Sequence, residues 1–554
     1  MLTNQLKEFI KGEIANDEKT LQKYSRDASL FEVKPETVVF PKDSEDIKKL
    51  VQFISRRKSA LGLPEFALLS ITARCGGTDM TGGDLGESIV IDFTKHFNKI
   101  YEVDSYGDGG GYARAQPGVF YRDFEKETLK KNLLLPSYPA SREICAVGGM
   151  VANNAGGEKT LAYGKTEDYI LELKAVLSDG NEYILKPLNR EELEKKLKET
   201  NFEGEIYRKI SKLVFDNQEL LQKAKPKVSK NSAGYYLWNV WDGNKFDLTK
   251  LFAGSQGTLG IITEITFRLI TPKKYSRLAV LFLKDLKPLV GVAETVMRFK
   301  PESFESFDSH TLKLALKFLP SFIKSLKQNI LKLVWQFLPE FWMFLTGGMP
   351  ELALLAEFTG DDEKEIISRL DDLRKELKPF PIKFHIAKNE AEAKKYWTIR
   401  RESFNLLRKS IKGKRTAPFI DDFIVQVEKL PEFFPKLNKI LDSYGNFTYT
   451  IAGHIGNGNF HIIPLMDLAD SKNREIIKEL SDKVYDLVLE FGGSITAEHN
   501  DGLIRSPYLK KMYGGEVYKL FEETKRIFDL QNIFNPGKKV GANLSYALEH
   551  LVKS

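Results

Sequence analysis

Hydrophobic spacing divides the chain into stretches of different period. Over Asp43–Arg57 the apolar residues Ile47, Leu50, Val51, Phe53 and Ile54 recur at helical spacing and predict an amphipathic helix. Between residues 66 and 120 the pattern shortens to strand-length runs: Phe66–Ile71, Ser88–Phe93, Lys99–Val103 and Tyr112–Ala115. The glycine run 107–111 joins two of them and reads as a hairpin loop, since a dinucleotide fingerprint would have to open a helix. Strands and loops are expected to continue from 140 to 275, ending in Phe252–Leu269, with helices and strands alternating from 278 to 464. A last long helix is predicted from Ser471, as its N-cap, to Phe491, with Gly492-Gly493 as the stop.

Near the C-terminus the period-2 pattern carries chemistry. Tyr449–Ala452 and Phe460–Pro464 are strand-like, and Asn457-Gly458 supplies residues suited to a two-residue turn. Counting outward from that turn pairs His454 with His461, whose Cβ atoms would lie about 4.5–5.5 Å apart. Two imidazoles at that separation suit one shared ion. Glu498, in a second glycine-flanked strand, is a fitting third ligand, and His499 a base beside it. Three protein ligands leave a coordination position open for substrate. The competing reading is an ordinary surface hairpin that happens to carry two histidines.

Composition narrows the setting. A chain of 554 residues is too long for one core and implies two domains or three. Hydrophobic content of 42% and charged content of 29% are ordinary for a soluble globular protein. The net charge of +7 is spread with both signs mixed, so no nucleic-acid partner is expected, and Lys409–Arg415 reads as a solvated loop. Two cysteines, Cys75 and Cys145, are too few for a disulfide framework or a thiolate-held iron–sulfur cluster. With no apolar run of signal-peptide length at Met1–Ile10, a cytoplasmic location is expected.

Three glycine clusters follow in order. Arg74-Cys75-Gly76-Gly77-Thr78-Asp79 lies between strands and offers unobstructed backbone N–H groups for a pyrophosphate. Pro139-Ala140-Ser141 leads to a second cluster containing Gly148, Gly149, Asn153 and Gly157. The third, Ala253–Gly260, runs into Ile261-Ile262. With the His-x6-His and Glu-His motifs, the chain resembles the vanillyl-alcohol-oxidase-type flavoproteins, specifically the FAD-linked D-2-hydroxy-acid dehydrogenases of the D-lactate dehydrogenase and glycolate oxidase type. The resemblance runs from about Tyr24 to Val540.

That resemblance implies an α+β architecture: a PCMH-type FAD-binding domain over 1–275, a substrate- and metal-binding domain over 276–505, and a segment 506–554 returning to the first domain. It implies FAD held by the first two clusters, with the Ile261-Ile262 backbone near the flavin pyrimidine and Asn535 returning to it. It implies a divalent metal, zinc or manganese, on His454, His461 and Glu498, with His499 as base and Arg400 on the substrate carboxylate. Asp422 falls at a recurring acidic position. The implied reaction is oxidation of a D-2-hydroxy acid to the 2-oxo acid by hydride transfer to flavin N5. Electrons would leave to an external acceptor such as a quinone, an electron-transfer flavoprotein, a cytochrome or dioxygen.

The chain departs from the family at several points. Cys75 replaces a glycine, Gln256 a glutamate, and Asn500 a glycine. In relatives that oxidise 2-hydroxyglutarate, a Thr and a Lys help hold the distal carboxylate. The matching positions are Phe404 and Ile420, which favours a smaller acid such as D-lactate. Two other classes stay open: a metal-dependent hydrolase with structural glycine loops, and a non-catalytic flavin subunit of a membrane complex. The stretch 312–345 is aromatic and lysine-bearing, and Pro320 and Pro339 break it, so it cannot span a membrane. It is a candidate peripheral contact at the inner face of the cell membrane, or else core.

Overall fold

The computed structural model describes residues 2–61, 68–107, 109–309, 311, 349–410, 415–444 and 448–553. The candidate membrane stretch 312–345 lies outside them. Helix and sheet are mixed throughout, as the α+β expectation requires.

Two sheets are built from residues 13–269. In the smaller, Thr37–Phe40 and Ile71–Arg74 both run parallel to Ile89–Asp92, and Glu13–Ala15 adds an antiparallel edge. The helix Ser44–Leu61 lays Ile47, Leu50, Val51 and Ile54 against this sheet, as its spacing predicted. In the larger, Ile100–Ser105, Gly111–Ala115, Ile261–Leu269, Ile170–Val176 and Glu182–Leu185 form an antiparallel sheet, and the run 107–111 joins its first two strands. The C-terminal segment returns here: Ile71 donates its N–H to Ile533 O, Asn535 N–H donates to Ile71 O, and Phe534 is fully buried.

The third sheet belongs to residues 275–466 and is antiparallel. Its long strands Tyr275–Leu283 and Leu352–Gly360 lie at the centre of one core, with helix Ser471–Glu490 packed alongside.

Several expectations need correction. The first predicted strand lies later, at Ile71–Arg74. Residues 190–224 are largely helical (Arg190–Lys198, Phe202–Asp216 and Gln218–Ala224), because Asn189 and Asn201 cap amphipathic runs that read as loop by composition. The cap of Ser471–Glu490 is Asp470, whose side chain accepts from Lys472 N–H. Ser494 makes only an isolated bridge to Ile424, so Glu498 and His499 lie on an extended segment and not on a strand.

Candidate active site and flavin cleft

The hairpin that carries two of the histidines is wider than its sequence implied. Strands Thr448–His454 and Asn459–Met466 are joined by a 3₁₀ turn, Ile455–Asn457, and Gly458 at φ 73°. His454 therefore faces Asn459, and His461 faces Ala452. The two-residue shift keeps the parity of the pleat, so both imidazoles stay on one face. They sit diagonally, with ring centroids 5.3 Å apart.

Each imidazole is fixed by a buried carboxylate that the sequence did not single out. Ser306 pairs with Gly453, which brings Glu305 alongside His454, and His454 Nδ1 lies 2.6 Å from Glu305 Oε1. Asp421 serves two rings: Oδ1 is 3.0 Å from His461 Nδ1 and Oδ2 is 2.7 Å from His499 Nδ1. The rings of His461 and His499 stack at 4.9 Å. With their Nδ1 atoms engaged, His454 and His461 keep Nε2 for another partner. His454 Nε2 lies 3.2 Å from Glu498 Oε2. Ligand atoms of Asp422, His461, Glu498 and His499 all lie within 4.8 Å of one another.

Asp422 belongs to the scaffold. Its Oδ2 accepts from Thr496 Oγ1 and from the N–H groups of Ala497, Glu498 and His499, while Oδ1 accepts from Asn459 Nδ2. This clamp holds Glu498 and His499 without a strand. Lys165 Nζ adds a bond to Ala497 O, and Lys230 Nζ makes an ion pair with Glu498 Oε1. Arg400 Nη2 lies 3.1 Å from Glu305 Oε2, so its guanidinium supports the carboxylate behind His454.

Charge follows this wiring. Burial pushes the His499 imidazole down, but Asp421 and Asp422 outweigh it and raise the pKa to about 9. Burial also raises Glu498, yet His454 and Lys230 overcome it and hold its carboxyl well below the usual range. His461 is lowered because burial outweighs Asp421.

The glycine loops meet at a separate, partly open cleft. Of the residues expected to bind cofactor, Cys75, Gly76, Gly77, Thr78 and Asp79 line it, as do Gly148, Gly149, Asn153 and Ile262. Glycine is required at Gly148, where a Cβ would sit 2.4 Å from Pro117 Cβ and 2.8 Å from Pro117 O. Others play different parts. Ile261 alternates away from Ile262 into the core. Arg74 donates to Arg26 O and packs on Gly77, which has φ 65°. Asn535 lies behind the cleft, bonded to Gly83 O and Gln256 O. Pro139, Ala140 and Ser141 stand off the cleft, and Gly157 lets the chain pass Tyr138 O, which a Cβ would approach to 2.3 Å.

The departures at Gln256 and Asn500 also find reasons. Asn500 adopts φ 72°, a region that asparagine tolerates, and donates to Asn153 O and Gly254 O. Gln256 Nε2 donates to Asp79 Oδ2, Thr81 Oγ1 and Asn153 Oδ1, at 3.2, 3.3 and 3.3 Å. Gln256→Glu would remove those donors and set a second carboxylate against Asp79, costing on the order of 1–3 kcal/mol. Thermal release of flavin followed by fluorescence should occur at lower temperature in this variant; an unchanged profile would refute the assigned role.

Comparisons with known proteins agree with this architecture. The family described as "FAD binding domain" matches residues 35–185, and that described as "FAD linked oxidases, C-terminal domain" matches 272–539. The chain belongs to the FAD-linked oxidases. The D-2-hydroxyglutarate dehydrogenase of Pseudomonas putida is 28% identical over 95% of this chain and 50% of its own length. The chain thus spans about half the length of that relative. Glycolate oxidase subunit GlcD of Bacillus subtilis is 26% identical, covering 93% of this chain and 91% of its own. The D-lactate dehydrogenase of Anaerostipes hadrus is 26% identical, at 91% and 89%. Among solved structures, 4-ethylphenol oxidase from Gulosibacter chungangensis superimposes with a TM-score of 0.67 at 16% identity, covering 97% and 96% of the two chains. For p-cresol methylhydroxylase the values are 0.65, 15%, 95% and 93%. These structural matches establish the fold: a PCMH-type FAD-binding domain with a FAD-oxidase C-terminal domain.

Proposed function

We propose that this FAD-linked oxidase oxidises a D-2-hydroxy acid, of the D-lactate, glycolate or D-2-hydroxyglutarate class, to its 2-oxo acid. The observation that carries the reading is the His454–His461–Glu498–His499 constellation, in which His454 and Glu498 are buried, His461 and His499 half-buried, and a buried carboxylate oxygen lies within 3.0 Å of each imidazole's Nδ1. Such backing orients metal ligands and bases, whereas a surface hairpin has no use for it. His454 and His461, through Nε2, and Glu498, through Oε2, fit a divalent ion such as zinc or manganese. When bound, such an ion would supply Lewis acidity toward the acid substrate, and FAD would supply a two-electron acceptor.

The chain's own residues do the rest. His499 Nε2 takes the hydroxyl proton, and Asp421 stabilises the resulting imidazolium. A base must begin neutral, and a cation beside Glu498 would offset the carboxylates that raise the His499 pKa. Arg400, with five N–H donors, can serve Glu305 and a substrate carboxylate together. The size argument from positions 404 and 420 carries no weight: Ile420 packs in the core beside Asp421, and the Phe404 side chain lies outside the described residues. Electrons then leave to an external acceptor, by class a quinone, an electron-transfer flavoprotein or a cytochrome. Among the described residues no helix is long and apolar enough to cross a membrane, and the peripheral contact at 312–345 stays part of this proposal.

The FAD binding domain removes the premise of a flavin-free hydrolase. A non-catalytic subunit is separated by one experiment. Purified protein should be yellow, with one FAD per chain, and should bleach anaerobically with D-lactate, glycolate or D-2-hydroxyglutarate but not with the L-acids. Flavin that no D-2-hydroxy acid reduces, in protein carrying its metal, would overturn the proposed activity.

A further inference from the structure

Lys230 is a buried cation in direct contact with Glu498, and the reaction outlined above does not use it. Its side chain is fully buried, and its Nζ meets Glu498 Oε1. The segment around it is sewn into the site from both sides. Ser229 Oγ donates to Asn457 O in the hairpin turn, and Asn457 Nδ2 donates back to Ser229 Oγ. Ser232 Oγ donates to Ala497 O, and Gly234 N–H donates to Asp501 Oδ2. Lys165 Nζ ties Asn231 O to the same Ala497 O. A flexible lysine has thus been given a fixed address against one oxygen of one carboxylate.

That oxygen is not the one beside His454, since Glu498 Oε2 is the atom 3.2 Å from His454 Nε2. We propose that Lys230 is a positioning residue for the metal site: it occupies Glu498 Oε1 so that only Oε2 faces the ion, and its fixed charge limits how tightly the ion is held. This rests on the reading of His454, His461 and Glu498 as metal ligands. The physical ground is simple. With its side chain out of water, the ammonium is screened weakly, and a +1 charge on the far oxygen of a ligand repels a divalent ion on the near one. Without the ion the same ammonium neutralises Glu498, which would otherwise be a buried carboxylate beside a histidine.

Lys230→Met keeps an unbranched chain of similar reach and removes the charge. FAD-loaded wild type, Lys230→Met and Lys230→Arg are stripped with chelator, then titrated with Zn²⁺ and Mn²⁺ against a fluorescent competitor. Lys230→Met should bind roughly tenfold tighter or more, and Lys230→Arg should stay near wild type. The metal-induced rise in melting temperature should be larger in Lys230→Met, because its metal-free form has lost the charge that balanced Glu498. A merely structural lysine would lower the melting temperature equally with and without ion. Equal or weaker binding by Lys230→Met that retains FAD overturns the proposal, and Lys230→Gln supplies the same comparison if methionine fails to fold. Wild type that binds neither ion would overturn the metal reading, and this inference with it. Wild type that binds while the variants bind no tighter overturns this inference alone.

Discussion

His454→Ala and Glu498→Gln are expected to purify yellow, with FAD near one per chain, and to oxidise no 2-hydroxy acid. The two sites are built from different residues: none of His454, His461, Glu498 or His499 lines the flavin cleft. Losing one ligand should therefore spare flavin while lowering bound metal, as elemental analysis and absorbance would show. His454→Ala leaves Glu305 paired with Arg400, so its buried charge keeps a partner. Glu498→Gln is preferred to alanine because alanine would strand the Lys230 ammonium at a fully buried position. His499→Ala should keep both metal and flavin and lose about 10²–10⁴-fold in kcat, the usual worth of a general base. Near-normal turnover in any of the three, with folded protein, would remove the roles assigned to them.

The glycine clusters and the four site residues stand out in the sequence because close backbone approach needs glycine, and because histidines are scarce: the chain has seven. The residues that organise them do not. Glu305 sits in the strand Ser303–Asp308, far along the chain from His454, and only the pairing of that strand with Thr448–His454 makes them neighbours. Asp421 left a faint signal, two consecutive acids inside the apolar run Phe419–Val425, where ionised side chains are rarely buried without partners. Lys230 left none. The hairpin register was misread because Asn-Gly suits a two-residue turn, yet Asn457 closes a 3₁₀ turn and Gly458 alone takes positive φ. At Ile261 and Ile262 the expectation concerned the backbone; adjacent strand side chains face opposite ways, so Ile262 lines the cleft and Ile261 packs in the core.

Asp422→Ala should be among the most damaging single substitutions outside the ligands themselves. One carboxylate oxygen accepts from Thr496 Oγ1 and three successive N–H groups, and Ala497 N–H also reaches Asp422 O. The segment Thr496–His499 has no ladder to fall back on, so alanine leaves buried donors without an acceptor and Arg505 with one carboxylate fewer nearby. A cost on the order of 3–5 kcal/mol follows from removing a buried charged partner. Because Glu498 and His499 lie on that segment, metal affinity and activity should fall with stability. Asp422→Asn separates the contributions. Asparagine tolerates the φ of 67° found here, and its oxygen can still accept from the N–H groups, though more weakly without charge. Its amide nitrogen would then oppose Asn459 Nδ2, which now donates to Asp422 Oδ1 at 3.2 Å. The asparagine variant should therefore fall between alanine and wild type in melting temperature and in metal retained after dialysis. Wild-type values for the alanine variant would show that the segment is held by something other than this clamp.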